Sequence, residues 1–464
     1  MFSNDIFYSR RMQLRSQMKG CSGIIVLPSN NEAPMNYPAN AYRYRQDSSF
    51  KYFFSQMRDG IVGVVDLDSG KDIIFGNNFT IDDIIWMGNQ PTIRELAEEC
   101  KVSDIKPFNE LESYVAEVQK AGKKVHFLPP YRDDTRIFLS KLTGISIDEI
   151  KENASVDLIK AVVALRSIKS GDEIKELDRV CNIAVMMFQE VMLRCKVGES
   201  EQFLVGRAEG YAISKSAGVS FETILSQDGQ TLHNRSHNKK LTGGRLLLID
   251  MGAESEYGYN SDYTRTLPVS GKFTKKQREI YEIVLNANLE SIAMAKPGLK
   301  WWDVHFNACT IVAQGLINLG LMKGDAQKAV EVGAHALFMP HGLGHSLGMD
   351  AHDMENLGEN FVGYDDTIQR SKIFGHASLR FAKELKVGNV LTVEPGIYFI
   401  PQLIDIWEKE EKFTEFINYP KVREYLDFGG IRIEDDIVIT HNGCRILGNP
   451  LPKTVEEIEA ILDK

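Results

Sequence analysis

The run Arg245-Leu-Leu-Leu-Ile-Asp250 is an apolar strand that ends on a carboxylate, and a second carboxylate, Asp262, follows twelve residues later in Asn260-Ser-Asp-Tyr-Thr-Arg265. Gly252 and Gly258 between them suit a hairpin-like excursion. Side chains alternate along a strand, so the even spacing lets both acids point to one face of an antiparallel pair. Taken singly, Asp250 reads first as a turn-former at a strand end. Two carboxylates side by side repel, however, and a cation is the usual reason a fold tolerates them.

Further candidate ligands lie downstream. Three of the ten histidines crowd into Pro340-His-Gly-Leu-Gly-His-Ser-Leu-Gly-Met-Asp-Ala-His352. His341 and His345 have the i, i+4 spacing of a helical zinc motif, but Pro340, Gly342, Gly344 and Gly348 disfavour a helix and the H-E-x-x-H glutamate is missing. An extended segment punctuated by glycine brings backbone close to something. Glu394, in Leu391-Thr-Val-Glu-Pro-Gly-Ile-Tyr398, directly follows an apolar strand, where an unpartnered carboxylate is expensive. Glu434 falls in a strand expected over Ile431–Ile439, where Ile431 and Ile433 alternate with Arg432 and Glu434. Each glutamate alone could sit on a half-exposed strand. Four carboxylates with one or more imidazoles suit a hard or borderline ion, Mn²⁺ first and Co²⁺ or Zn²⁺ after it. Bridging carboxylates would hold two ions about 3.5–4 Å apart, as in two-metal hydrolases.

A chain of 464 residues is too long for one ordinary core, so two domains are expected. Strand signals at Gly23–Leu27, Ile61–Leu67, Asp72–Phe75 and Lys124–Leu128 alternate with helical ones at Ile93–Cys100 and Leu111–Ala121, giving an α/β domain over 1–155. The remainder, 156–464, mixes long helices with strands; Thr274-Lys-Lys-Gln277 and Thr454-Val-Glu-Glu457 are capping boxes that open two of its helices. The formal charge of −10 argues against nucleic acid and anionic membrane as partners. No run reaches the ~18 apolar residues of a membrane span. Six scattered cysteines without a C-x-x-C pair read as reduced thiols, with neither a disulfide framework nor a structural zinc motif, and a cytoplasmic protein is expected.

In these residues the chain resembles the pita-bread metallopeptidases, among them aminopeptidase P, prolidase and methionine aminopeptidase. Their five ligands run Asp, Asp, His, Glu, Glu, and the resemblance assigns these roles to Asp250, Asp262, His345, Glu394 and Glu434. The matching flanks are Leu232-His-Asn234, Ser261-Asp-Tyr-Thr-Arg265, His341-Gly-Leu-Gly-His345, Glu394-Pro-Gly396 and Gly430-Ile-Arg-Ile-Glu-Asp435. The family's aspartates lie one residue closer together, so one extra loop residue is expected near Ser255-Glu256. The segment Tyr42-Arg-Tyr-Arg-Gln-Asp-Ser-Ser-Phe50 is similar to the N-terminal domain of aminopeptidase P and prolidase, a domain that simple methionine aminopeptidases lack.

The resemblance implies an α+β fold: a pita-bread catalytic domain over 156–464 behind the smaller N-terminal domain. It implies hydrolysis of the Xaa-Pro bond of dipeptides or short peptides by a hydroxide bridging two divalent ions. Glu394 would handle the proton, His233 and His352 would contact substrate and stabilise the tetrahedral intermediate, and Arg432 would orient ligands. His341 is expected at the wall of the proline pocket. Arg380, in Ser378-Leu-Arg-Phe-Ala382, is similar to a prolidase arginine placed to hold a dipeptide's carboxylate, which favours Xaa-Pro dipeptidase over Xaa-Pro aminopeptidase. A homodimer or larger assembly is expected on the same grounds. The alternative of another class is a non-catalytic pita-bread binding module.

Overall fold

The fold is taken from a computed structural model, which describes residues 2–463 except 56. It divides into two units. One runs through Arg166 and includes Asn356–Phe361; the other takes Ser167–Glu355 and continues from Val362.

The first unit is built on a five-stranded mixed sheet of β1 (Ile24–Pro28), β2 (Val62–Asp66), β3 (Asp72–Phe75), β4 (Asp104–Lys106) and β5 (Val125–His126), in the order β4-β3-β2-β1-β5. The hairpin expected around Asp68-Ser-Gly-Lys71 joins β2 to β3. Its core gathers Ile24, Val26, Val64 and Phe75 from the sheet with Leu111 and Val115 from helix Leu111–Lys120. Two helices, Asp5–Gln17 and Ser48–Phe54, lie where no helical pattern was read. The first buries Arg11, whose guanidinium donates to Asp72 Oδ2 at 2.8 Å and to the carbonyls of Phe53 and Cys100 at 2.7 Å each. Helix Val156–Ser167 belongs with this unit almost to its end, because Arg166 Nη1 donates to Ser49 Oγ and Tyr52 Oη to the Leu165 carbonyl. The division therefore falls at the last residue of that helix, between Arg166 and Ser167, where residue 155 was expected.

The second unit surrounds several short, fully buried strands with long helices. Strands β6 (Gly218–Val219), β7 (Ile224–Ser226), β8 (Leu246–Met251), β9 (Ala253–Glu254) and β10 (Tyr263–Pro268) come first, and β8 lies between β7 and β10. Later in the chain come β11 (Val390–Val393), β12 (Gly396–Tyr398), β13 (Gly430–Arg432), β14 (Asp435–Thr440) and β15 (Gly443–Ile446). β11 pairs with β14 and β12 with β13, both antiparallel. The capping boxes at Thr274 and Thr454 both form, opening helices Lys275–Met294 and Val455–Leu462. Trp301, Val304 and Ala308 of helix Trp301–Asn318 pack with Leu391, Val393, Ile437 and Ile439 into this unit's core.

One expectation needs correcting. Residues 431–439 are not one strand: the ladder stops after Arg432 and resumes at Asp435. The register explains the break. Val393 pairs with Asp435 and Gly396 with Arg432, so Glu394-Pro395 and Ile433-Glu434 are matching two-residue interruptions that face each other. Glu434 leaves the ladder to donate its backbone N–H to the Thr264 carbonyl at 3.0 Å, which ties β10 to the break.

Candidate metal centre

Each expected carboxylate ligand sits where a strand ends or breaks. Asp250 and Thr264 are register partners in β8 and β10, so Asp262, two residues before Thr264, shares a face with Asp250. The intervening chain makes a tight turn in which Ser255 N–H donates to Tyr259 O and Gly258 N–H to Ser255 O, with Gly258 at φ +85. The strands on either side of that turn keep register through it. Glu394 and Glu434 come from the two facing breaks.

His345 arrives on the glycine-punctuated segment, which is irregular and not helical. Glycine at 344 is compulsory, since a Cβ there would lie 2.0 Å from the Thr392 carbonyl oxygen. This close approach lets Thr392 Oγ1 accept the His345 backbone N–H at 3.1 Å. The His345 Nδ1–H donates to the Ser346 carbonyl at 3.1 Å, which leaves the Nε2 lone pair facing inward, 3.5 Å from both Asp262 Oδ2 and Glu394 Oε1. Ligand atoms of Asp262, His345 and Glu434 all lie within 4.8 Å of one another.

The electrostatics are those of a site short of positive charge. Burial, then the charges of Asp250, Asp436 and Glu394, pushes the Asp262 pKa well above the carboxylate range. Burial, then Asp262, Glu394 and Asp250, does the same to Glu434. Glu394 is raised chiefly by burial, with His345 and Arg432 pulling the other way. Asp250 Oδ1 is buried without a hydrogen-bond partner. An orphaned carboxylate oxygen, three acids held towards neutrality and an imidazole with its lone pair turned inward fit a divalent cation.

Around this group the other expected residues take distinct places. Arg432 is buried and donates to Asp250 Oδ2 at 2.5 Å, to Thr264 Oγ1 at 3.1 Å and to Tyr398 Oη at 2.9 Å. Tyr398 donates in turn to His341 Nε2 at 3.0 Å, and His341 Nδ1–H donates to the Gly342 carbonyl at 2.8 Å. Burial first, and the Arg432 charge second, push His341 down to about 3, so it stays neutral. His352 stacks edge-on against His345 at 4.3 Å and donates Nδ1–H to Glu355 Oε2 at 2.6 Å. Arg380 Nε is 3.4 Å from His352 Nδ1 and 3.7 Å from Glu355 Oε2; because that Nδ1 carries its proton towards Glu355, the carboxylate is the meaningful partner. His233 is exposed on a turn, yet close enough to Arg432, Asp250, His352 and Arg380 to feel their charges.

Sequence reasoning passed over four contributors. Tyr398 bridges Arg432 and His341, and Thr264 Oγ1 donates to Glu434 Oε2 at 2.7 Å. Glu355 anchors His352, which lowers the Glu355 pKa to about 2. Asp436 accepts the Asp262 backbone N–H at 2.9 Å. For Tyr398 and Asp436 a signal existed, a polar group inside or beside a fully apolar strand. Thr264 and Glu355 carry none.

A strand-borne nest of four carboxylates and one imidazole in an α+β unit, preceded by a smaller α/β unit, defines a pita-bread metallohydrolase. The comparisons make it specific. The profile of metallopeptidase family M24 matches residues 175–441, and that of the aminopeptidase P N-terminal domain matches residues 7–126. The human Xaa-Pro dipeptidase is 32% identical over 448 residues, covering 95% of this chain and 88% of that protein. A probable Xaa-Pro aminopeptidase of Sordaria macrospora is 31% identical over 457 residues, covering 97% and 94%. The structure of Escherichia coli aminopeptidase P in complex with substrate superimposes with a TM-score of 0.81 at 29% identity, covering 100% of this chain and 98% of that one. The chain belongs to metallopeptidase family M24, in the branch that carries an aminopeptidase P N-terminal domain. It is a metallopeptidase of a family that uses divalent metals. No helix among the described residues is long and apolar enough to cross a membrane.

Proposed function

We propose that this protein hydrolyses the Xaa-Pro bond of short peptides with two divalent ions, and that its preferred substrate is the dipeptide. The observation that carries the reading is the inward-facing set of Asp250, Asp262, His345, Glu394 and Glu434, three of whose acids are raised by burial and mutual repulsion. A binding module that needed no cation would gain nothing from such a set, and its electrostatic cost argues for the enzyme. The bound ions supply Lewis-acid chemistry, acidifying water and polarising a carbonyl. Oxygen-rich donors favour Mn²⁺ over ions that seek thiolate.

The chain's own groups do the rest. Glu394, beside the ions, takes up and returns a proton next to the scissile bond. His233 is placed to donate to the oxygen on which charge develops, a term that commonly dominates catalysis, and His352, whose Nδ1–H is held by Glu355, offers its Nε2 to the substrate as an acceptor. Glu355 holds the His352 ring and Arg432 holds Asp250. The neutral His341 offers an apolar edge to the proline ring, whose nitrogen has no N–H to satisfy. Arg380, half-buried and next to His352, is set to hold a free carboxylate directly after proline. Likeness to Xaa-Pro peptidases also supports a homo-oligomer acting in the cytoplasm.

The discriminating experiment compares Ala-Pro with Ala-Pro-Ala on Mn²⁺-loaded protein. The dipeptide is expected to be the better substrate, and Arg380→Ala to raise its KM about 10- to 150-fold, the span of one charge-assisted contact, with little effect on kcat. Equal or faster cleavage of the tripeptide would favour the aminopeptidase reading. That reading's support is the likeness to E. coli aminopeptidase P.

A further inference from the structure

A second group of potential ligands lies in the same unit and shares no residue with the carboxylate centre. His305 and Cys309 are one turn apart on one face of helix Trp301–Asn318, and both are fully buried. His376 opens the short helical turn His376–Ser378, and His335 lies in the turn Ala334–Leu337; both are buried as well. Gly375 makes this approach possible. It has φ +86, and a Cβ on it would lie 2.6 Å from Ala336 Cβ.

The geometry within the group is that of ligands. His305 Nε2 is 2.9 Å from His376 Nδ1, and Cys309 Sγ is 3.7 Å from His305 Nε2. One ligand atom each from His305, Cys309 and His376 lie within 4.8 Å of one another. His376 Nε2 is 2.8 Å from the Val330 carbonyl, which can only accept, so Nε2 carries the proton and Nδ1 accepts the Nε2–H of His305, a bond that an ion would replace as the His305 proton moves to its own Nδ1. A ring nitrogen that donates to a backbone carbonyl while the other faces inward is the usual support of a metal-bound histidine. The His335 ring centroid lies 4.7 Å from that of His376, and neither of its nitrogens has a hydrogen-bond partner. Folded proteins seldom leave two buried polar atoms unpaired on one side chain. Trp302 covers the group, its ring 5.8 Å from His305 and 5.2 Å from His376.

We propose that His305, Cys309, His376 and His335 form a second metal site, taking one Zn²⁺ in a three-imidazole, one-thiolate shell. Nitrogen and sulfur donors in tetrahedral number are zinc chemistry, whereas the carboxylate centre offers oxygen. His335 closes the shell by turning one unpartnered nitrogen inward. Burial keeps the three imidazoles neutral, which is the ligating form, and raises the Cys309 thiol. Binding therefore breaks the S–H bond as the S–Zn bond forms, and one proton leaves to solvent for each ion bound. The site ties helix Trp301–Asn318 to two turns and has no open position for substrate, so its role is structural.

Cobalt substitution tests this on the full-length protein. Metal-stripped chain reloaded with Co²⁺ is expected to develop a thiolate-to-cobalt charge-transfer band, which the sulfur-free carboxylate centre cannot produce. Cys309→Ser is expected to abolish the band, lower the bound zinc by one ion per chain and leave Xaa-Pro hydrolysis intact. Should that variant fail to fold, X-ray absorption at the zinc edge of the unaltered protein decides, with a sulfur neighbour at about 2.3 Å expected. No thiolate band in the unaltered protein, a band that survives Cys309→Ser, or zinc surrounded only by nitrogen and oxygen would overturn the proposal.

Discussion

The catalytic unit buries two groups of titratable side chains, and burial forces opposite things on them. In the carboxylate centre the buried form is meant to be charged, so Asp262, Glu394 and Glu434 resist by holding protons. In the imidazole and thiol group the buried form is neutral, with His335 pushed down to about 3 and the Cys309 thiol raised. The first group advertises a ligand through excess charge. The second does so through unmet hydrogen-bonding capacity. A cation relieves the first electrostatically, and it satisfies the second by bonding to a His335 nitrogen that has no partner and by taking the place of the His305–His376 hydrogen bond.

The largest expected effect follows from the charge. Glu434→Gln or Asp262→Asn removes a ligand, and Xaa-Pro hydrolysis should fall by about 10³-fold, or about 4 kcal/mol of transition-state stabilisation. The same substitution removes a repelling acid, so the metal-free variant should melt higher than the metal-free parent. Activity and bound metal together, with calorimetry of the stripped proteins, check both halves. Full metal content with lost activity would break the ligand assignment.

Metal removal tests the same contrast through pH. For acids whose folded pKa is raised, the stabilising contribution is complete below their unfolded values near 4 and is lost as pH rises through the folded ones. Stripped protein should therefore lose stability as pH rises above about 4, and the metal-loaded protein should not. The gap between their melting temperatures should widen with pH. A gap that narrows would mean the repulsion is not what the cation offsets.

Legibility in the sequence followed the same division. The carboxylate ligands stand at strand ends with glycines and prolines beside them, so their local patterns carry the chemistry. What escaped was non-local. The alternation through Ile431-Arg-Ile-Glu434 runs on unbroken because periodicity reports the face a side chain takes, not the partner its backbone meets. That partner is the Thr264 carbonyl, 170 residues away in the chain. In the N-terminal unit the apolar strands were plain, whereas helix Asp5–Gln17 was not. Its buried Arg11 reads as a surface charge until Asp72 and the carbonyls of Phe53 and Cys100 are seen around it. The His305, Cys309, His335 and His376 group offered only the i, i+4 pair His305 and Cys309 on one helix, and its other two members come from separate turns with no common spacing.

Arg432→Lys is a smaller perturbation of the carboxylate centre. The guanidinium spans Asp250, Thr264 and Tyr398, and an ammonium can replace one of these contacts but not all three. Loss of such a supporting contact should cost about 10- to 100-fold in kcat or metal affinity, with KM nearly unchanged. A pure rise in KM would place Arg432 on the substrate and not behind the ligands.

The smallest effect is the sharpest, because the two readings of the second group predict opposite signs. His335→Leu removes two buried, unpaired nitrogens and keeps an apolar side chain in their place. Without metal, that change relieves a desolvation penalty and should stabilise the protein by about 1–3 kcal/mol. With zinc bound, the same change deletes a ligand and should destabilise by a comparable amount or more. Unfolding of parent and variant, each measured zinc-loaded and stripped, should thus show lines that cross. Parallel lines would leave the histidine group a neutral stack, with the carboxylate centre as the one place in this unit where burial calls for a cation.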